Sequence, residues 1–393
     1  MRGGFLSARV VVNVEAMNMV EAIGNVVRHR KAALVYRVRE GQNERYEIRT
    51  VPVVSGEALR HAGALSEVAE GVGLPVCSWC RRGEFVKHGV VLDEFFRDVK
   101  GAGSVADFEK VADKSIYEAE RLILESCVVE DVGGFLIPTR VPVKRTSVFE
   151  VGYMVPAVEG GRVLYGFDVQ FHVRHAPGAQ QKAPQGAEAA PQSAYNRATP
   201  QSVYNIESSS AVYALAVNVE LWRIGMWFDE GSGQYAALGD RDKRVHAALL
   251  ALAAVLSGDV RTGGHWSSYR PLWRLESAAA VFSGPMPISA APAVDEDYLD
   301  ETIKLARAKA EAYKGAGIDV GYRVLVLRGS RRCQLCGSGD VEAVDAASDF
   351  VKRLVELGRE YAGASPPGEG RQGAEPQEDG GREEQRRGRG GRR

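Results

Sequence analysis

The chain has 393 residues, of which 45% are hydrophobic, and this is enough apolar material for a sizeable core. Lys and Arg number 50 and Asp and Glu number 51, so the net charge of -1 excludes a polycation that coats nucleic acid with its whole surface. The N-terminus does not resemble a signal peptide, and the longest apolar run, at 247–256, is too short to span a bilayer. We therefore expect a cytoplasmic protein with no membrane partner.

Alternating apolar and polar residues predict three strands at the start of the chain, at 5–14, 33–38 and 45–53. The last two flank a polar turn and predict a hairpin. The intervening segment, 16–32, is polar and is predicted to be irregular.

Ser55 follows this hairpin and is a candidate N-cap, because a serine side chain there accepts a hydrogen bond from an otherwise unpaired helical N–H. Gly56 comes next, and helical periodicity continues to about residue 72. A further single helix is predicted from Ser104 to about Ser126.

Three alternating segments in the middle of the chain predict more strands, at 143–158, 162–175 and 208–222. Helices are predicted at 240–257, from about 295, and at 346–362. Because the strands and helices do not follow a strict βαβα order, we predict an α+β sheet domain with insertions.

Two segments have the chemistry of a phosphate site. In the turn at 51–62, the first N–H groups of the helix are unpaired, and Gly56 lets an anion approach them. Arg60 lies one turn further on. The basic run RHRKA at 28–32 offers charges that bind phosphate without reading sequence. Without further context, the turn at 51–62 also fits an ordinary capped helix, and the run at 28–32 also fits a solvated loop.

No nucleotide-binding loop, nucleophile elbow or zinc-protease motif is present, and no histidine is spaced from a Ser or Cys as in a triad. The strand around His172 places Gln170, His172 and Arg174 on one face, and Val169 and Phe171 on the other. The polar face is either an RNA-contact surface or a solvated strand face.

Four of the five cysteines form two C-x-x-C pairs, Cys77 with Cys80 and Cys333 with Cys336. Three interpretations stay open: one shared structural zinc site, two disulfides, or reduced thiols. The separation of about 250 residues between the pairs departs from compact zinc-ribbon spacing.

Six segments are long and idiosyncratic: NVEAMNMVEAIGNVVRHRKA (13–32), VPVVSGEALRHA (51–62), DVGGFL (131–136), VPVKRTSVFEVGYMVPAV (141–158), VQFHVR (169–174) and NIESSSAVYALAVNVE (205–220). In this order they resemble the DevR-type RAMP proteins of CRISPR systems, the seventh Cas family, and within it the archaeal type I-A Cascade backbone subunit. The resemblance covers most of residues 5–360.

The resemblance implies a ferredoxin-like (RRM-like) core in one domain, 1–362, with helical and β-hairpin insertions. The helical insertion is expected at about 63–130, a thumb loop at about 175–205 and a second insertion at about 223–320. Residues 363–393, rich in Gly, Arg and Glu, are expected to be a disordered tail.

The resemblance also implies a set of RNA-binding residues, which are Asn18, Arg28, His29, Arg30, Lys31, Ser55, Gly56, Arg60, Lys144, Arg145, His172 and Arg174. Tyr195 and Tyr204, which occupy an internal echo in the thumb, are candidates for stacking on bases. No catalytic residue and no cofactor is expected, apart from the open zinc interpretation of the cysteines.

The function implied is that of a non-catalytic subunit that polymerises along CRISPR RNA and presents it for pairing with target DNA in antiviral defence. The implied partners are the RNA, copies of the chain, other Cascade subunits and a helicase-nuclease. One alternative is a RAMP endoribonuclease with His29 or His172 as general acid or base. Another is a type III-like backbone that cleaves RNA from an Asp in its basic loop, but RHRKA contains none.

Overall fold

The computed structural model describes residues 3–23, 26–61, 64–85, 93–175, 201–259 and 271–363. The greater part of the expected thumb, with Tyr195, and all but the first residue of the expected tail lie outside these ranges. No helix in the described ranges is both long and apolar enough to cross a bilayer.

The strands are β1 (Gly3–Glu15), β2 (Met19–Ile23), β3 (Val26–His29), β4 (Lys31–Glu40), β5 (Asn43–Pro52), β6 (Phe135–Ile137), β7 (Val143–Arg145), β8 (Phe149–Val151), β9 (Val155–Pro156), β10 (Val158–Glu159), β11 (Arg162–Val163), β12 (Tyr165–His175), β13 (Gln201–Val219), β14 (Met226–Asp229), β15 (Gln234–Ala237), β16 (Leu272–Gly284), β17 (Gly321–Leu327) and β18 (Val341–Val344). The helices are α1 (Gly56–His61), α2 (Leu65–Gly71), α3 (Ser78–Arg81), α4 (Asp93–Phe96), α5 (Val105–Ala112), α6 (Ile116–Ser126), α7 (Val128–Gly133), α8 (Arg241–Leu256), α9 (Tyr298–Gly315) and α10 (Ala347–Ala362).

One large sheet organises the described part of the chain, in the order β18-β17-β16-β1-β13-β3-β2. Strand β1 lies at its centre and pairs antiparallel with both β13 and β16. β13 also pairs with β8, β9 and β12. The mixture of this sheet with helices confirms the predicted α+β class.

Both faces of β1 are buried, because its two sets of alternating residues pack against different layers. Leu6 and Val10 belong to a large core that includes residues of α5, α6, α8 and α10. Arg9 points to the other side, where its Nε donates to the Ala293 carbonyl at 2.7 Å and its guanidinium lies 5.5 Å from the centre of the Tyr298 ring at the start of α9.

The prediction of an irregular segment at 16–32 is wrong, since β2 and β3 lie within it. These strands pair with each other, and β3 pairs parallel with β13 near Asn205. The register of β1 shifts between Val12 and Glu15, and Val14 there has a φ of 53°. This bulge turns Glu15 into the interior.

The prediction of one helix from Ser104 to Ser126 is also wrong, because the chain forms α5 and α6 there. Ser115 caps α6 by accepting a hydrogen bond from the Glu118 N–H at 3.1 Å. A serine that competes for backbone N–H groups favours such a restart over an unbroken helix. The predicted strands at 5–14 and in the hairpin and the helices at 240–257 and 346–362 are confirmed.

Candidate nucleic-acid interface

Asn18 joins the two segments whose chemistry suits a phosphate, the turn at 51–62 and the basic run at 28–32. Its side-chain Oδ1 accepts hydrogen bonds from the Ser55 N–H at 2.8 Å and from Arg30 Nε at 3.0 Å. Its carbonyl accepts the Arg30 N–H at 2.9 Å. Because Asn18 is buried, these bonds hold the basic segment against the turn at 51–62 in a defined geometry.

A buried ion pair lies beneath the basic segment. His29 Nε2 is 2.7 Å from Glu15 Oε1, and both side chains are inaccessible to solvent. Burial lowers the pKa of His29, but the contact with Glu15 outweighs burial and the pKa is raised. Burial raises the pKa of Glu15, and the contact with His29 outweighs that effect, so this pKa is lowered. Tyr213 also donates its hydroxyl to Glu15, at 2.8 Å.

These shifts define a pH window for the pair. Since the pKa of His29 is raised above 6.5, its contribution to stability is complete below pH 6.5 and is lost as the pH rises through the raised pKa. Since the pKa of Glu15 is lowered below 4.5, its contribution is present above pH 4.5 and is lost as the pH falls through the lowered pKa. The pair of His29 and Glu15 therefore stabilises the fold most between pH 4.5 and pH 6.5, where both contributions are complete.

The basic side chains of 28–31 differ in where they point. Arg28 is exposed, Arg30 is partly buried, and His29 between them faces the interior. Lys31 Nζ lies 3.4 Å from Glu207 Oε1 and 4.0 Å from the centre of the Phe167 ring. Because side chains alternate along β3, Arg28 faces solvent while His29 points into the interior and holds the strand against Glu15.

Strand β12 continues this surface with a row of exposed apolar side chains. Phe167, Val169 and Phe171 occupy alternate positions and are 37%, 47% and 73% exposed. Exposed aromatic rings beside basic residues suit stacking on bases. The alternation is visible in the sequence and points to the polar residues as a possible RNA-contact face, whereas the structure shows that the apolar row is exposed.

The turn at 51–62 has a different role from the one predicted for Gly56. A Cβ on Gly56 would lie 1.7 Å from the carbonyl oxygen of Val151, so this glycine is needed for close packing on β8. Ser55 caps α1 by accepting the Ala58 N–H at 3.2 Å, which confirms the predicted N-cap. Ser55 and Gly56 are both buried and support the turn, whereas Arg60 is partly exposed beyond it.

Comparison with known proteins decides the family. The family model described as CRISPR-associated negative auto-regulator DevR/Csa2 matches residues 6–303. The chain belongs to the DevR/Csa2 family. A Saccharolobus solfataricus protein described as CRISPR-associated aCascade subunit Cas7/Csa2 2 is 35% identical over 334 residues, which cover 82% of this chain and 95% of that protein.

A second DevR/Csa2 relative from the same organism, described as CRISPR-associated protein Cas7/Csa2 1, is 36% identical over 172 residues, 43% of this chain and 49% of that protein. Among solved structures, a chain of a CRISPR RNA-guided surveillance complex, pre-nicking, matches with a TM-score of 0.44 and 12% identity. The match covers 91% of this chain and 100% of that one. A chain of another CRISPR RNA-guided surveillance complex matches with a TM-score of 0.41 and 14% identity. This match covers 90% of this chain and 99% of that one.

Arg145, which was predicted to contact RNA, has a buried and fully bonded guanidinium in this DevR/Csa2 chain. Its Nη2 donates to Asp131 Oδ1 and its Nη1 to Glu120 Oε1, both at 2.7 Å. The carbonyls of Asp131, Met226 and Arg223 accept the remaining N–H groups. The neighbouring Lys144 is exposed, since β7 turns alternate side chains to opposite sides.

The histidines proposed as binding or catalytic residues have separate positions. His29, predicted as an RNA contact and as an alternative catalytic residue, is buried, and its side chain is inaccessible to solvent. His172 and Arg174 lie on β12, and His172 pairs in register with Tyr204 on β13. The side chains of these three strand residues, and all of Tyr195, lie outside what the structure describes.

The four cysteines of the two C-x-x-C pairs do not converge, which rules out a shared zinc site, one of the three interpretations left open. Cys333 and Cys336 form a disulfide, as one of the alternatives anticipated. Cys77 and Cys80 are buried in the large core and form no disulfide, and the second pair lies in a different core cluster. Their near neighbour is a third cysteine, Cys127.

Proposed function

We propose that this chain is a non-catalytic backbone subunit of a cytoplasmic type I-A Cascade complex that holds guide RNA by its sugar-phosphate backbone. Its family supports this, since a protein described as an aCascade subunit aligns with it over 95% of that protein's length. The observation that carries the proposal is a surface on β12 and on the segment that runs from β3 into the start of β4. We call it the basic-aromatic surface, and it consists of Arg28, Arg30, Lys31, Phe167 and Phe171.

The basic-aromatic surface supports binding that is independent of sequence. Arg28 and Lys31 are both exposed, so these cations are placed to meet phosphates. The rings of Phe167 and Phe171 offer flat apolar surface, and every base has a face that stacks on such a ring. The Asn18 bonds and the buried pair of His29 with Glu15 hold the basic residues in place without facing the RNA.

Further parts of the proposal concern assembly. We propose that the antiparallel strands around β1 form a ferredoxin-like core and that 175–205 is a thumb that folds over the RNA. Copies of the chain would line the guide as a filament, joined by other Cascade subunits and a helicase-nuclease, and leave the intervening bases free to pair with target DNA.

The first experiment separates a scaffold from a nuclease. The full chain is purified with its native RNA, and the bound RNA is sized after nuclease digestion. The protein is also incubated with labelled repeat RNA. We expect protected fragments in a regular ladder and no cleavage. Cleavage that is abolished by His172→Ala would overturn the scaffold assignment in favour of an endoribonuclease.

The second experiment tests the surface. Arg28→Ala with Arg30→Ala should weaken binding to all single-stranded RNA sequences alike and reduce the slope of log affinity against log salt by about 1.4. Lys304→Ala with Lys314→Ala, on α9, removes the same charge from exposed positions and is the matched control. Equal losses in the two double variants, or a changed sequence preference, would contradict the proposed surface.

A further inference from the structure

Three buried cysteines meet where the helical segments pack on the core. The sulfur atoms of Cys77, Cys80 and Cys127 all lie within 4.8 Å of one another. Cys77 precedes α3 and Cys80 lies within it, while Cys127 separates α6 from α7. The two parts of the chain are held together by a hydrogen bond from the Val128 N–H to the Pro75 carbonyl, at 2.9 Å.

A carboxylate lies beside these thiols. Glu130 Oε1 is 3.4 Å from Cys80 Sγ, and Glu130 is completely buried in the first turn of α7. Glu130 follows Cys127 at the same spacing that separates Cys80 from Cys77. Residues three apart in a helical turn share a face, so both pairs present their side chains on the same side of the chain. Paired ligands with two intervening residues are typical of structural zinc sites.

The distances are close to those that a tetrahedral zinc ion requires. With Zn–S bonds of about 2.3 Å, the sulfur atoms of such a site are about 3.8 Å apart. The three sulfurs therefore need to approach by about 1 Å at most. A carboxylate oxygen at about 2.0 Å from zinc lies about 3.5 Å from each sulfur. Glu130 Oε1 has this separation from Cys80 Sγ, and its side chain must move to bring an oxygen equally close to the other two sulfurs.

We propose that Cys77, Cys80, Cys127 and Glu130 form a structural zinc site. Zinc binding would displace the protons of three thiols and release them to solvent, with no change of oxidation state. Three thiolates and one carboxylate around Zn²⁺ leave two negative charges, and Arg81 and Arg82 follow Cys80 directly. Four protein ligands leave no open position for a substrate, so the role of the ion is to join α3 to α7.

The environment of the other cysteine pair shows why only one pair takes part. Cys333 and Cys336 are joined as a disulfide and have no third cysteine within reach in the described ranges. Cys77 and Cys80 form no disulfide, and Cys127 comes from a separate part of the chain. The fold thus creates a set of ligands that neither C-x-x-C motif contains.

The test uses the full chain under reducing conditions. Zinc is measured after dialysis, and the metal-free protein is titrated with Co²⁺, whose thiolate charge-transfer absorption reports sulfur ligands. We expect one zinc per chain and a saturable charge-transfer band at one equivalent of Co²⁺. Chelation of the zinc should lower the midpoint of thermal unfolding. Absence of the cobalt band in the wild-type protein would overturn the proposal without relying on any variant.

Three variants locate the site. Cys127→Ser should abolish the cobalt band, and Glu130→Gln should weaken metal binding about 10-fold or more. The matched control, Cys333→Ser with Cys336→Ser, removes a C-x-x-C pair elsewhere and should keep both the band and the zinc. A band of full intensity in Cys127→Ser, or its loss in the control, would assign the metal elsewhere. Detection of a Cys77–Cys80 disulfide in freshly isolated protein would also overturn the site.

Discussion

Substitution of two adjacent residues, Lys144 and Arg145, should change the stability of the fold by very different amounts. Arg145→Ala removes a buried guanidinium whose donors satisfy the carboxylates of Asp131 and Glu120 and three backbone carbonyls. Removing one partner of a buried ion pair costs about 3–5 kcal/mol, because the other charge remains buried without compensation. Lys144→Ala removes an exposed ammonium and should change stability by no more than about 0.5 kcal/mol.

The assay is thermal unfolding of both variants, followed by RNA binding well below the lower unfolding midpoint. We expect Arg145→Ala to unfold several degrees below the wild type. In its folded state it should keep the RNA affinity of the wild type, because the guanidinium does not reach the surface. If Arg145→Ala were as stable as the wild type but bound RNA more weakly, the structural role given to this residue would be refuted.

Three further predictions concern the interface. Gly56→Ala should lower stability by about 1–3 kcal/mol, since its Cβ would collide with the Val151 carbonyl, and an unchanged unfolding midpoint would contradict this. Asn18→Ala should weaken RNA binding, because the hydrogen bond that positions Arg30 is lost. The slope of log affinity against log salt concentration should stay unchanged, because the variant removes no charge, and RNA titrations at several salt concentrations test this. His29→Asn should reduce stability most between pH 4.5 and 6.5 and progressively less as the pH rises through the raised pKa of His29, which thermal unfolding at a series of pH values would show. A difference independent of pH would mean that packing and not charge explains the effect.

Much of the secondary structure was predictable because its signals are local. The alternation of β1 and the periodicity of α8 and α10 are contained within each segment, and the structure confirms them. The segment at 16–32 lacks such a signal. Its strands form because β13, nearly 180 residues away in sequence, offers a partner for β3. Pairing supplied from a distance overrides a polar composition that by itself favours a loop.

The sequence by itself determined the family and indicated the basic segment and the cysteine pairs as candidate sites, because motifs and runs of charge are properties of neighbouring residues in the chain. Only the tertiary structure decided which residues of each motif face solvent. Arg28 and Lys144 are exposed and their neighbours His29 and Arg145 are buried, because strand alternation and long-range partners set the direction of each side chain. For the same reason the residue that completes the group around Cys77 and Cys80 comes from a part of the chain 47 residues further on, where no spacing rule points to it.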